Sequence, residues 1–293
     1  MRIGVDLGGT KIEAIVLDKD GTEIARKRVP APRNDYKATI GAICDLIASL
    51  NTPQVTIGVG MPGSHNPRTR LVQNANSTWL NDKPFEKDLA AALGQPVRTA
   101  NDANCFALSE AVDGAAKGAH SVFGVILGTG VGGGIVIDQR PIVGAHAIAG
   151  EWGHLPLPHQ QMPRDEALPC FCGLAGCIET YLSGPAMARA FHKATGRALT
   201  ATQIAAASDR EATTHLDMWL DRLARGLSMV VNIIDPEIIV FGGGLSKIAQ
   251  IYTELPGRLA SYAAIPTNHT RILKNIHGDS SGVRGAAWLW DGE

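Results

Sequence analysis

RIGVDLGGTKIEAIVL, residues 2–17, reads as a short buried strand, a glycine turn and a second strand. Asp18 to Gly21 (DKDG) is a hairpin turn signal, and EIARKRV at 23–29 alternates like a third strand. Three strands joined by tight turns predict antiparallel pairing at the start of the chain. From Ser121 the order repeats: SVFGVIL, the loop GTGVGGG at 128–134, then the strand IVID. An internal repeat of this kind predicts two related halves facing each other, in the α/β class.

Between and beyond the repeats, helical spacing takes over. Ile40, Ile43, Ile47 and Leu50 mark a helix over about 36–50. QVTIGVGMPG, 54–63, is a strand running into a glycine-flanked turn, followed by a helix near 84–93 and a strand at 96–100. NDAN at 101–104 opens a helix over 102–113. The longest helix is predicted near 211–234, with Leu216, Trp219, Leu220, Leu223, Leu227, Val230, Val231 and Ile234 on one apolar face, and Asp235-Pro236 stops it. EIIVFGGGLS, 237–246, is a buried strand that ends in glycines and opens a helix. The last half of HGDSSGVRGAAWLW, 277–290, is helical.

The glycine turns carry chemistry. Neither DLGGTK (6–11) nor GTGVGGG is a Walker loop or a dinucleotide fingerprint, because each feeds a strand and not a helix. Backbone N–H groups exposed in such turns hold anions, so Gly8, Gly9, Gly128, Gly130, Gly132 and Gly133 are candidates for a polyphosphate site. Thr10 and Thr129 add hydroxyl donors, and Lys11 adds a charge. Asp6 ends a strand, where it can hold Mg²⁺ through water. Gly242, Gly243 and Gly244 form a third cluster at a strand C-terminus, the usual ligand position in α/β folds.

Three of the five cysteines, Cys170, Cys172 and Cys177, fall within eight residues, after the GEWGH run at 150–154. With His154 they make a Cys3His set, the composition of a closed structural zinc site. Gly173 and Gly176 let the loop turn tightly enough for the sulfurs to converge. A disulfide, or thiols buried as small hydrophobes, is the competing reading, and an odd cluster without a secretion signal argues against it. Glu151 and Glu179 bracket the knot and are expected to be free to accept hydrogen bonds from a polyhydroxylated ligand. Asn101-Asp102 fits a helix cap and also a carboxylate poised to take a proton from a substrate hydroxyl. His65, His146, His159 and His215 have no such context and read as surface residues.

At 293 residues and 30.9 kDa the length suggests two domains, and 45% hydrophobic residues suffice for a sizeable core. A net charge of −1 and a pI near 6.8 leave no electrostatic footprint for nucleic acid or an anionic membrane. No apolar run reaches membrane-span length, and the start, MRIGVDLGGT, reads as having no leader. Free thiols then predict the cytoplasm.

The order DLGGTK, GMPG, NDAN, GTGVGGG, GEWGH, CxCGxxGCxE and GGG resembles the ROK (repressor, open reading frame, kinase) family of sugar kinases, over essentially the whole chain. The resemblance implies a two-domain actin-like ATPase (ribonuclease H-like) fold with a cleft between domains, here placed at 1–117 and 118–293. The C-terminal helix is free to pack back on the first. It implies ATP-dependent phosphorylation of a hexose at its 6-hydroxyl, with ATP, Mg²⁺ and a structural Zn²⁺, in a homodimer. Carried over by motif, Asp102 is the general base. Gly63, Asn101, Glu151, His154 and Glu179 contact sugar, and His154, Cys170, Cys172 and Cys177 bind zinc. His154 would use one ring nitrogen for the metal and the other for a sugar hydroxyl. ANSTWLNDKPF (75–85) and the ending HGDSSGVRGAAWLW resemble the fructokinase (manno-fructokinase) branch, which makes D-fructose the expected substrate and Asn76 a further sugar contact. NDANCFALSEA (101–111) resembles the N-acetylglucosamine kinases, which with a broad hexokinase or mannokinase are the alternative.

Two other classes are disfavoured. A sugar-responsive repressor of the same family would carry a helix-turn-helix ahead of the first glycine loop, where Asp6 already stands. A catalytically dead zinc-stapled binding protein would not need Asp102 beside three glycine loops. The segment 155–169, with four prolines, spaces His154 from Cys170 more widely than in several family members and is expected to be an ordered loop.

Overall fold

The computed structural model describes residues 1–52, 55–264 and 269–291. In chain order the elements are β1 (Arg2–Leu7), β2 (Lys11–Leu17), β3 (Glu23–Pro30), α1 (Tyr36–Ala48), β4 (Thr56–Met61), β5 (Ser64–His65), β6 (Val72–Gln73), α2 (Phe85–Leu93), β7 (Val97–Asn101) and α3 (Asp102–Val112). They continue with β8 (Ser121–Leu127), β9 (Val131–Ile137), β10 (Arg140–Pro141), α4 (Glu179–Leu182), α5 (Gly184–Thr195), α6 (Ala201–Ala206), α7 (Arg210–Ile234) and β11 (Ile238–Gly242). Then come α8 (Gln250–Thr253), α9 (Leu255–Ala260), β12 (Arg271–Lys274) and α10 (Ser281–Trp288). The chain divides into two compact units. One comprises Met1–Gly118, Gly134–Ala149 and Asp279–Glu293; the other comprises Ala119–Gly133 and Gly150–Gly278.

The first unit is built on a sheet of order β3–β2–β1–β4–β7. Strands β1, β2 and β3 pair antiparallel, while β4 and β7 run parallel to β1. Register sets Asp6 beside Gly60 and Met61 beside Asn101, so the parallel strands end on one edge. Ile3, Val5, Ile12, Ile57, Val59, Ile43, Phe85 and Leu89 are buried in its core, each contributing about 1.5–3 kcal/mol by leaving water. Helix α10 lies against β1, β4 and α3 with its backbone almost touching theirs. A Cβ on Gly4 would collide with the Val283 carbonyl, one on Gly58 with that of Ala286, and one on Gly285 with that of Cys105. The helix is pinned by Ser281 Oγ, which donates to Glu110 Oε1 at 2.7 Å, and by Arg284, which donates to the Gly21 carbonyl at 2.6 Å and to Asp113.

The second sheet has the order β10–β9–β8–β11–β12, with β8, β11 and β12 parallel. Its long helix, α7, is started by Asp209, whose side chain accepts from the Ala212 amide, and stopped by Asp235 in the left-handed region (φ 49°). Leu216, Trp219, Leu220, Leu223, Leu227, Val230 and Val231 form its buried face.

Some boundaries differ from the sequence reading. Gln54, given to a strand, lies outside the described residues, and the strand runs from Thr56. Helix α1 ends at Ala48, where the Ser49 amide caps onto the Asp45 carbonyl. The glycine loop is shorter than GTGVGGG: only Gly128 to Gly130 turn, and Gly132 to Gly134 belong to β9. Gly133 and Gly134 are small because neighbours crowd them, Gly133 against Trp152 and Gly134 against Ala103 and Ala107. No helix among the described residues is long and apolar enough to cross a membrane.

Candidate active site

In the first unit the candidate residues gather where β1, β4 and β7 end. Asn101 caps α3, accepting from the Ala103 amide at 2.9 Å, while its Nδ2 donates to the Gly63 carbonyl at 3.1 Å. One side chain thus starts the helix and ties it to the GMPG turn, where Gly63 has φ +74°. Asp102 follows as the first helical residue; its Oδ1 also accepts from the Ala103 amide, at 2.8 Å. Its carboxyl reaches the surface, yet the protein atoms crowded around it raise its pKa by desolvation. Asp6, half-buried at the end of β1, is pushed up to about 6, first by burial, then by the charges of Asp102 and Glu13. A helix cap and a carboxylate of raised pKa thus stand side by side at this junction.

Glu13 is a residue that sequence reading missed. It is buried on β2, with Arg28 Nη2 at 2.7 Å, Arg26 in contact and Lys11 Nζ at 3.9 Å. A lone acid inside the apolar run IEAIVL was the available signal. Its carboxylate holds Lys11 and two arginines at the exit of the DLGGTK turn, which the Gly8 amide closes on the Lys11 carbonyl at 3.0 Å. Gly9 and Thr10 are exposed there, and Asn76 is exposed just after β6.

In the second unit, the Gly128 amide donates to the Gly130 carbonyl at 3.0 Å, and the Gly184 amide, opening α5, donates to the Gly128 carbonyl at 2.8 Å. Thr129 is exposed at the tip. Glu179 commits one oxygen within the protein: its Oε2 accepts from the Val131 amide at 2.9 Å. A Cβ on Gly130 would come within 2.7 Å of that oxygen, so a larger residue there would have to push the carboxylate aside. Gly242 ends β11, and Gly243 (φ +79°) and Gly244 are exposed beyond it. Glu151 is exposed at the start of a short turn whose Trp152 donates Nε1–H to the Gly132 carbonyl at 2.9 Å and packs edge-on against Phe123.

The ligand atoms of His154, Cys170, Cys172 and Cys177 all lie within 4.8 Å of one another. Cys170 Sγ is 3.5 Å from His154 Nδ1, and Cys172 Sγ is 3.6 Å from Cys177 Sγ. A tetrahedral zinc with ordinary bond lengths has S···N and S···S edges of roughly 3.6 and 3.8 Å, so the set fits. The cysteines are free, and a disulfide would bring sulfurs to about 2.05 Å. Bridges Pro156–Cys177 and Pro169–Ala175 hold the knot's two sides together. Burial and the neighbouring thiols push Cys177 up to about 12, a crowding that a divalent cation relieves. His154 Nδ1 faces the sulfurs, with the Phe171 ring edge-on at 5.0 Å.

Of the other histidines, His146 and His159 are exposed. His65 and His215 are not plain surface residues. His65 is half-buried with Nδ1 3.2 Å from the Arg70 carbonyl, and His215 packs edge-on against Phe191.

The sequence model of the ROK family matches residues 2–293. The chain is 41% identical over 299 residues to N-acetyl-D-glucosamine kinase of Citrobacter koseri, covering 99% of both chains. It is 40% identical over 306 residues to the N-acetyl-D-glucosamine kinase of Pectobacterium atrosepticum, covering 99% of this chain and 98% of that one. Among solved structures it is similar to the ROK hexokinase of Thermus thermophilus (TM-score 0.86, 30% identity, 98% and 97% covered). It is also similar to a ROK glucokinase of Streptomyces griseus in complex with glucose and AMPPNP (TM-score 0.77, 28% identity, 98% of each).

Proposed function

The chain belongs to the ROK family and has its actin-like ATPase fold, and from that premise we propose that this sugar kinase transfers the γ-phosphoryl group of ATP to the 6-hydroxyl of N-acetyl-D-glucosamine. What carries the choice of sugar is the identity of 40–41%, end to end, to kinases of that sugar. The same relatives lend the expected D-fructose no support, although ANSTWLNDKPF resembles the fructokinases.

In this reading Asp102 takes the proton of the attacking hydroxyl. Its raised pKa suits a base, because a carboxylate that holds a proton less weakly drives the transfer further. Asn101 fixes that carboxylate by capping the same turn of α3. Glu151, His154, Glu179, Asn76, Asn101 and the Gly63 turn are the sugar-contact candidates, Glu179 also holding the Val131 amide through its Oε2. The glycine turns offer N–H groups to phosphate, and Lys11 a charge. Asp6 would hold Mg²⁺, which neutralises charge on the transferring phosphoryl group. His154, Cys170, Cys172 and Cys177 would hold zinc, which supplies structure and not chemistry. Positioning and electrostatics then account for the catalysis.

Initial rates with N-acetylglucosamine, glucose, mannose and fructose at matched ATP test the assignment. Specificity lies in kcat/KM, which is expected to favour N-acetylglucosamine by about tenfold or more. A kcat/KM for fructose above that for N-acetylglucosamine would return the chain to the fructokinase reading.

A further inference from the structure

The proline-rich segment between His154 and Cys170 is fastened to α7 by buried charge. Asp165 and Arg225 are fully buried, and Arg222 is 8% exposed. Asp165 Oδ1 accepts from Arg222 Nε at 2.9 Å, and Oδ2 accepts from Arg225 Nη1 and from the Gln161 amide, both at 2.8 Å. The same guanidiniums reach the backbone on both sides of the loop. Arg225 Nη1 donates to the His159 carbonyl at 2.9 Å, and Arg222 Nη2 to the Arg164 carbonyl at 2.6 Å. Tyr181 donates to the carbonyls of Asp165 and Glu166, each at 3.2 Å. Asp221 accepts from Arg164 Nη2 at 2.9 Å and lies 3.1 Å from Arg225 Nε, completing the set.

Buried ions are a poor way to gain stability, since desolvation offsets most of their attraction. What they supply is direction. An apolar contact would let the loop slide, whereas these bonds fix His159, Arg164 and Asp165 on one stretch of α7 and Glu166 on Tyr181 of α4. The loop in turn closes on the cysteine knot: the Leu157 amide donates to the Gly176 carbonyl at 3.0 Å, and the Gly176 amide to the Leu168 carbonyl at 2.9 Å. Its chain neighbours are His154 on one side and Cys170 on the other.

We propose that Asp165 is a positioning residue, the clasp by which α7 sets where His154 and Cys170 stand and so where the sugar-facing nitrogen of His154 points. This rests on the zinc and sugar roles given to His154 above. Partners that orient metal ligands change metal affinity or activity by about 10–100-fold when lost. Asp165→Asn keeps the shape and removes the charge that Arg222 and Arg225 need.

The test measures, in the full-length protein, chelator-driven zinc release together with KM for sugar and for ATP. Asp165→Asn is expected to speed release and raise the sugar KM, each by about tenfold, with the ATP KM within about twofold. Wild-type release, or an ATP KM that rises in step with the sugar KM, overturns the proposal. Should Asp165→Asn not fold, Tyr181→Phe, which removes only the two bonds to the Asp165 and Glu166 carbonyls, is expected to shift both readouts the same way by about two- to fivefold. Wild-type values in that variant overturn the proposal. A wild-type protein that binds no zinc would sink the metal reading and leave the clasp to hydrogen exchange. Faster exchange of the Cys170 and Gly176 amides in Asp165→Asn then supports it, and unchanged exchange overturns it.

Discussion

The Val131 amide donates to the carboxylate of Glu179 at 2.9 Å, joining the glycine turn after β8 to the end of the cysteine knot. Val131 is buried, so removing the acceptor leaves an amide without water or partner. Glu179→Ala should therefore cost about 1–3 kcal/mol of stability, while Glu179→Gln, which retains a carbonyl oxygen, should cost less than about 1. Urea melts of the two variants check the order; equal losses would mean the bond contributes nothing specific.

Asp102→Asn leaves the start of α3 intact, because Asn101 remains as the cap and the amide introduced beside it is nearly isosteric with the carboxylate it replaces. Sugar KM should hardly move, while kcat falls by about two or more decades through loss of the base. Single-turnover rates decide it. Near-normal turnover would remove Asp102 from that role.

Asp6 ties stability to function through its charge. Its folded pKa is about 6 against an ordinary value of 3.8, so the folded chain binds this proton more tightly than the unfolded one. The sign follows: stability is lost as pH rises from 3.8 through about 6, and above that the charged carboxylate costs on the order of 2–3 kcal/mol. Asp6→Asn should hence stabilise the protein near pH 7.5 and have little effect near pH 4, while activity drops at both. Urea melts at the two pH values test it, and a gain of equal size at both would refute the linkage.

Regular periodicity made much of the fold legible. The first three strands, β8, α3 and α7 fall within a residue or two of where alternation and helical spacing put them. Short elements left no such trace: β5, β6 and β10 are two residues each, and α4 and α8 four. The site was legible where it is local in sequence, as at the cysteine knot, whose ligands the structure brings within 4.8 Å. It was not legible where it depends on distant partners. Nothing in RDEALP says that Asp165 will meet Arg222 and Arg225, 57 and 60 residues on. Equally, spacing alone could not show that Glu179 is committed to Val131, 48 residues back. Glycines were ambiguous for a related reason, since Gly133 and Gly134 yield space to neighbours and do not turn the chain.

The Cys3His set makes the strongest claim on an unmeasured component. Cys177 is buried with its pKa pushed up to about 12, while the exposed Cys172 is lowered, first by the hydrogen bond from the Leu174 amide. Without a cation three thiols and an imidazole crowd one point; with zinc the same crowding becomes a closed ligand shell. Metal analysis of the purified protein should give about one zinc per chain, and Cys177→Ser should lower that content severalfold. Because the knot lies in the second unit, its loss should expose residues 155–179 to protease well before the β3–β2–β1–β4–β7 sheet opens. Limited proteolysis after chelation separates the cases, and a chelated protein whose 155–179 segment resists cleavage as long as the untreated one would mean that the ligand set holds its shape without metal.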